Sequence, residues 1–147
     1  PQPKVWVLSN NDAGSALLRQ KILGSRTASD HIFSNLPRED FAGFLAYAGC
    51  IAGNSSAGLI EAPAFATPAV NIGRRQHLRV QGANVINCGF TAADIRSANG
   101  RAMAPAFRKE LKGMKNPYGD GHSSQRILAV LQRTAIDDRL LVKRLTY

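Results

Sequence analysis

An α/β fold on a mainly parallel sheet, Rossmann-like with helices on both faces, is what this sequence predicts, and three observations carry the prediction. Short β-branched or aromatic runs alternate with segments whose apolar residues recur at helical spacing. The joints between them are punctuated by Gly, Pro, Asn, Asp and Ser. Segments rich in hydroxyl, glycine and arginine follow the strand-like runs, the place where ligand loops sit in parallel sheets.

The elements follow in order. Lys4 to Ser9, "KVWVLS", reads as a strand ended by the turn-rich "NNDAGS". Ala16, Leu17, Leu18, Ile22 and Leu23 then mark a helix up to Gly24. His31-Ile32-Phe33 is a second strand, closed by "SNLP". Pro37 suits the first turn of a helix over "REDFAGFLAYAG", whose Phe41, Phe44, Leu45 and Ala48 form one apolar stripe. "CIAG" is a third strand, "GNSSAGLIEAP" opens a short helix, and "PAVNIG" and "NVINCG" are the fourth and fifth strands. A helix over "TAADIRSANGRAMA" takes Thr91 as its cap. The last helix begins near Gly121 to Ser124, after "NPYGDG", and carries Ile127, Leu128, Val130, Leu131 and Thr134. The tail "DDRLLVKRLTY" fits another helical turn or a returning strand.

At 147 residues the chain has the length of one domain, and a content of 44% hydrophobic and 20% charged residues is that of a globular protein. No apolar run reaches membrane-spanning length and "PQPKVWVLSN" lacks a signal-peptide core, so a cytoplasmic location is expected, with no membrane partner. Cys50 and Cys88 read as buried thiols. His31, His77 and His122 are scattered, so no metal site is expected. The net charge of +9 is unevenly placed. Residues 1–72 balance five basic residues (Lys4, Arg19, Lys21, Arg26, Arg38) against five acids, and the remaining 14 basic residues face five acids downstream. A basic half attracts anions, but neither a reading module nor aromatic interleaving points to nucleic acid.

Two loops carry candidate chemistry. Asn54, Ser55 and Ser56 are capping types at a helix start whose first-turn N–H groups have no internal partner, which suits either a plain cap or a phosphate. Gly58 would admit a close neighbour, and Glu61, in apolar surroundings, needs donors that the hydroxyls of a ribose could supply. In "NIGRRQHLR", Arg74, Arg75 and Arg79 leave the carboxyl end of the next strand, where a guanidinium fork could complete a pyrophosphate cradle or remain a solvated basic loop.

In this order, "NNDAGS", "HIFSNLPREDF", "GNSSAGLIEAPAF..P.VNIG.RQ..R....NVI" and "NPYGDGHSSQRI" resemble the UDP-N-acetylglucosamine 2-epimerases, most strongly the hydrolysing branch that feeds sialic-acid-type sugar pathways. The resemblance implies a glycosyltransferase-B-like enzyme of two Rossmann-like halves, of which this chain looks like most of the C-terminal, UDP-binding one. On that reading the first central strand and the N-terminal half, to which the family's catalytic acids belong, are expected outside these 147 residues, in a longer polypeptide or in another chain. The implied partners are a UDP-sugar, the N-terminal half and a second copy in a homodimer, with no cofactor.

Residue by residue, Ser55 and Ser56 match the diphosphate hydroxyls, Glu61 the ribose carboxylate and Arg75 the phosphate-side arginine. Leu36 matches a position whose backbone meets uracil, and "NPYGDG" a structural turn. Ala57 stands for a third serine, and His77-Leu78-Arg79 for a Gly-Arg pair, which leaves Arg79 without an assigned role. The "NSS" loop departs from the "DSGG..EE" form of non-hydrolysing relatives. A non-hydrolysing epimerase and a non-catalytic nucleotide- or anion-binding module are the alternatives.

Overall fold

The computed structural model describes residues 2–8 and 13–142. Where the sequence predicts one domain, the chain forms two compact units, Pro1–Ala48 and Gly49–Tyr147.

The first unit runs β1 (Lys4–Val7), α1 (Ser15–Ser25), β2 (Asp30–Phe33) and α2 (Arg38–Tyr47). Ser9 and residues 10–12 of the expected turn lie outside the described residues. β1 and β2 pair in parallel, Lys4 opposite Asp30 and Val7 opposite Phe33, and the ladder continues as the Leu8 amide donates to the Phe33 carbonyl at 2.9 Å. Pro37 sits one position earlier than expected, as the N-cap of α2 with ψ 151°. Its carbonyl accepts the first helical bond, from the Phe41 amide at 3.0 Å. Glu39 and Asp40 in the first turn complement the helix dipole. Of the predicted stripe only Leu45 is fully buried, while Phe44 tilts against Phe33 with ring centroids 5.9 Å apart.

Asp30 fastens this unit. Its side chain is 1% exposed and accepts from Lys4 Nζ at 3.1 Å, Trp6 Nε1 at 3.3 Å and the Thr27 amide at 3.1 Å. Burial pushes its pKa up, but the hydrogen bonds from the Thr27 amide, Lys4 and Trp6 outweigh that and hold it at about 2.

The second unit runs β3 (Ile51–Gly53), α3 (Ala57–Ile60), a 3-10 turn (Ala62–Phe65), β4 (Ala69–Ile72), β5 (Val85–Cys88), α4 (Ala92–Met103), α5 (Pro105–Glu110), α6 (Ser123–Arg133) and α7 (Asp138–Leu141). Its sheet is parallel throughout in the order β3-β4-β5, with Gly53 opposite Asn71 and Asn71 opposite Asn87. Alternation along β4 serves two faces. Val70 joins Ile86, Ala98, Ala102, Phe107 and Leu111 in the core, whereas Ala69 backs onto α3. Ala98 and Ala102, four apart, give α4 a small-residue face that lets it lie close on β4 and β5.

Thr91 caps α4 as expected, its Oγ1 accepting from the Asp94 amide at 3.1 Å. α5 was not anticipated: Pro105 opens it at the first helical position, and it buries Phe107 under the Arg101 guanidinium, 5.4 Å from the ring centroid. Burying a side chain such as Phe107 contributes roughly 1.5–3 kcal/mol, reason enough for a short helix to form there. Cys50 and Cys88 are half-buried against this core, and burial pushes both thiols up.

The "NPYGDG" segment is a structural turn. Tyr118 donates its hydroxyl to the Val80 carbonyl at 2.9 Å, and Asp120 takes a bidentate pair from Arg126 of α6 at 2.8 and 2.6 Å. Beyond it the expected stripe of α6 is present but exposed, Ile127, Leu128, Val130 and Leu131 all among the open apolar residues. The ambiguous tail forms the short helix α7, and residues 143–147 lie outside the described residues.

The lowered pKa of Asp30 sets a pH window. Its stabilising bonds are complete above the unfolded carboxyl pKa of about 4 and are lost as pH falls through about 2. Asp30→Asn is therefore expected to lower the melting temperature at neutral pH, the gap to the unsubstituted protein closing across that window. Melting curves recorded against pH check this.

Candidate functional site

In the second unit, β3 and β4 are adjacent parallel strands, and the two candidate loops leave their carboxyl ends. β3 ends at Gly53 and passes through Asn54 and Ser55 into α3, with Ser56 at its N-cap. β4 ends at Ile72 and turns at Gly73, φ 78°, where any Cβ would run into the Phe90 ring. The positive φ favours glycine there, and the turn it makes starts the Arg74–Arg79 loop at the same sheet edge as the serines.

The serines share the capping work unevenly. The Ser55 hydroxyl accepts from the Ala57 amide at 3.3 Å and keeps its own proton to donate, while Ser56, at the cap position, makes no side-chain cap bond. α3 is a single turn, so its dipole is small and the local hydroxyls and N–H groups carry what anion affinity the loop has. The close approach that Gly58 permits is with the sheet: a Cβ there would lie 3.2 Å from that of Ala69. Glu61 is exposed, where α3 passes into the 3-10 turn. Arg74, Arg75 and Arg79 are exposed on their loop, and Leu36 is half-buried in the first unit, ahead of α2.

Five side-chain amides, which the sequence reading passed over, tie together the segments around this sheet. Gln76, 3% exposed, donates Nε2 to the Asn54 carbonyl at 2.8 Å. Asn84, wholly buried, donates Nδ2 to the carbonyls of Gly58 at 3.1 Å and Thr67 at 2.9 Å. Asn71 donates to Asn87 Oδ1 at 2.8 Å, and the Asn87 amide donates on to Gln81 at 2.8 Å. Among the described residues no group of three or more His, Cys, Asp or Glu could hold a metal ion, and no helix is long and apolar enough to cross a membrane. An open groove along α1, lined by Leu17, Gln20, Lys21, Gly24 and Ser25, contains none of the candidate residues.

The model of the family described as UDP-N-acetylglucosamine 2-epimerase matches residues 2–132. The chain belongs to this epimerase family.

Among its relatives is the UDP-N,N'-diacetylbacillosamine 2-epimerase (hydrolyzing) of Legionella pneumophila, 34% identical over 138 residues, which cover 91% of this chain and 35% of that protein. The fold is shared with the UDP-GlcNAc 2-epimerase of Neisseria meningitidis solved with UDP-GlcNAc, at TM-score 0.65 and 19% identity over 88% of this chain and 36% of the other. The MnaA-UDP structure of S. aureus matches at TM-score 0.65 and 23% identity over 87% and 35%. The epimerase-family chain thus spans about a third of the length of these relatives.

The loop carries an unusual backbone at Leu78. Leu78 takes φ 67°, the left-handed backbone that glycine adopts most readily, and it is 92% exposed. The loop keeps its turn, with the His77 amide donating to Arg74 at 2.9 Å and the Arg79 amide to Gln76 at 3.3 Å. An exposed leucine recovers little packing for that strain. Leu78→Gly is expected to stabilise the protein by about 0.5–1 kcal/mol, the left-handed penalty less the entropy glycine adds to the unfolded chain. Urea denaturation measures it.

Proposed function

We propose that this chain is the UDP-binding part of a hydrolysing UDP-N-acetylglucosamine 2-epimerase, acting on UDP-N-acetylglucosamine or a related acetamido sugar nucleotide. One observation carries the reading: the serine pair and the arginine loop leave the carboxyl ends of two adjacent parallel strands and are tied by the Gln76 bond to Asn54. In the full-length protein Ser55 and Ser56 donate to the diphosphate, with Gly58 beside them as part of the same turn, and Arg75 neutralises phosphate charge. Glu61 accepts from the ribose hydroxyls.

The reaction removes the proton at sugar C2 and breaks the C1–O bond, the electron pair leaving with UDP. Water then adds its hydroxyl at C1 of the unsaturated sugar and a proton returns to the opposite face of C2. Groups within hydrogen-bond reach of C2 move these protons, and they belong to the N-terminal half. The residues here hold UDP and stabilise the charge that develops on it as it departs.

The hydrolysing outcome draws on the "NSS" loop and on the name of the Legionella relative. The N-terminal half as partner, and a central strand supplied from outside these residues, draw on two features. Among the described residues β1, β2, β3 and β5 each pair on one side only, and the apolar stripe of α6 is exposed. A homodimer in the cytoplasm completes the proposal.

Incubating the full-length enzyme with UDP-N-acetylglucosamine is expected to release UDP and the free C2-epimeric sugar in equal amounts. Epimerised sugar nucleotide without free UDP would instead establish the non-hydrolysing reaction. Glu61→Ala is expected to weaken UDP binding about tenfold by calorimetry, the cost of losing charge-assisted bonds to two hydroxyls. An unchanged affinity refutes the ribose role.

A further inference from the structure

The two ends of the serine loop are held from one source. Its start, the Asn54 carbonyl, accepts from Gln76, and its end, the Gly58 carbonyl, accepts from Asn84. Both amides come from the single connection between β4 and β5, the same connection that carries Arg75 next to Gln76. Both side chains are almost entirely buried, 3% and 0% exposed; the Asn84 bond is fully buried and the Gln76 bond, which reaches the exposed Asn54, is part-buried. The bonds differ in what else they serve. Asn84 also holds the Thr67 carbonyl, which ties it to the body of the fold. Among the described residues the Gln76 side chain bonds only to the loop, and its Oε1, like Asn84 Oδ1, is buried without a partner. Keeping an amide buried with half its capacity unmet is costly, and packing alone would favour an apolar residue of the same size.

From this we infer that Gln76 is a positioning residue for the leaving group: it fixes the Ser55-Ser56 hydroxyls against Arg75, so that the diphosphate meets a preformed cradle. The inference rests on the reading of this loop as the diphosphate site. It deepens that reading by assigning the registration of the two loops to one side chain. A cradle set in advance needs no reorganisation as charge develops on the leaving diphosphate, and Asn84 supplies the fixed end against which Gln76 works.

The test compares UDP with uridine, which lacks the phosphates, on the full-length protein by calorimetry, with melting temperatures recorded alongside. Gln76→Met keeps length and apolar bulk but cannot donate, and Gln76→Glu keeps shape but presents an acceptor to a carbonyl. Both variants are expected to lose about tenfold in UDP affinity, the scale of one buried hydrogen bond left unmade, while uridine affinity changes less than twofold. Equal losses for UDP and uridine, or UDP affinity unchanged in a folded variant, overturn the positioning role.

Should neither variant fold, the unsubstituted protein still answers through its Gln76 side-chain amide resonances, which are expected to shift on adding UDP but not uridine. Resonances that UDP leaves unmoved overturn the inference. An unsubstituted protein that binds uridine but gains nothing from the diphosphate overturns the cradle reading itself, a result distinct from failure of the Gln76 variants alone.

Discussion

Much of the second unit depends on one side chain. The Asn84 amide divides its two N–H groups between the carbonyls of Gly58 and Thr67, on either side of the 3-10 turn that joins α3 to β4. Thr67, Pro68 and Asn84 are fully buried, so a carbonyl left unpaired there would cost about 1–3 kcal/mol with no water to compensate. The bonds let the chain pass from β3 at Gly53 through two short helical turns and back into the sheet at Ala69. They also fix where the serine loop ends. Because Asn84 immediately precedes β5, and its carbonyl accepts from the Ala69 amide at 2.8 Å, the constraint is continuous with the β4–β5 ladder.

What was legible in the sequence was whatever depends on neighbours in the chain. Every strand expected within the described residues is present, because β-branched and apolar runs between turn residues report locally on extended structure. The Thr91 cap was legible for the same reason, since cap and capped amide are three residues apart. α5 escaped because six residues headed by proline look like the end of α4, and only the burial of Phe107 makes them an element of their own. The serines, Glu61 and Arg75 could be singled out because hydroxyl, carboxylate and guanidinium announce their chemistry by type. Gln76 and Asn84 could not: an amide side chain has no preferred partner, and theirs lie 22 and 26 residues away.

The apolar stripe of α6 shows the converse. Its spacing is plain in the sequence and the helix forms, yet none of its residues is buried. Pattern specifies which face a helix would bury and is silent about what covers it. The edges of β1 and β3 are similar, since a strand's composition says that it will pair without saying how many neighbours it has. These features follow from local patterning alone, and within the described residues each is left with one side unfilled.

The Arg74–Arg79 loop shows how a leucine is accommodated at a left-handed position. A leucine at the left-handed position could have changed the turn, and with it the placing of Arg75. The backbone instead holds φ 67° at Leu78, because the surrounding bonds over-determine it. The His77 amide is bound to Arg74 and the Arg79 amide to Gln76, whose own side chain is anchored in the serine loop. The strain is borne by an exposed residue inside the turn that the Arg79 amide and the Gln76 carbonyl close. A loop so fixed can tolerate substitution at His77, Leu78 and Arg79 while the residues facing the serine loop stay in place.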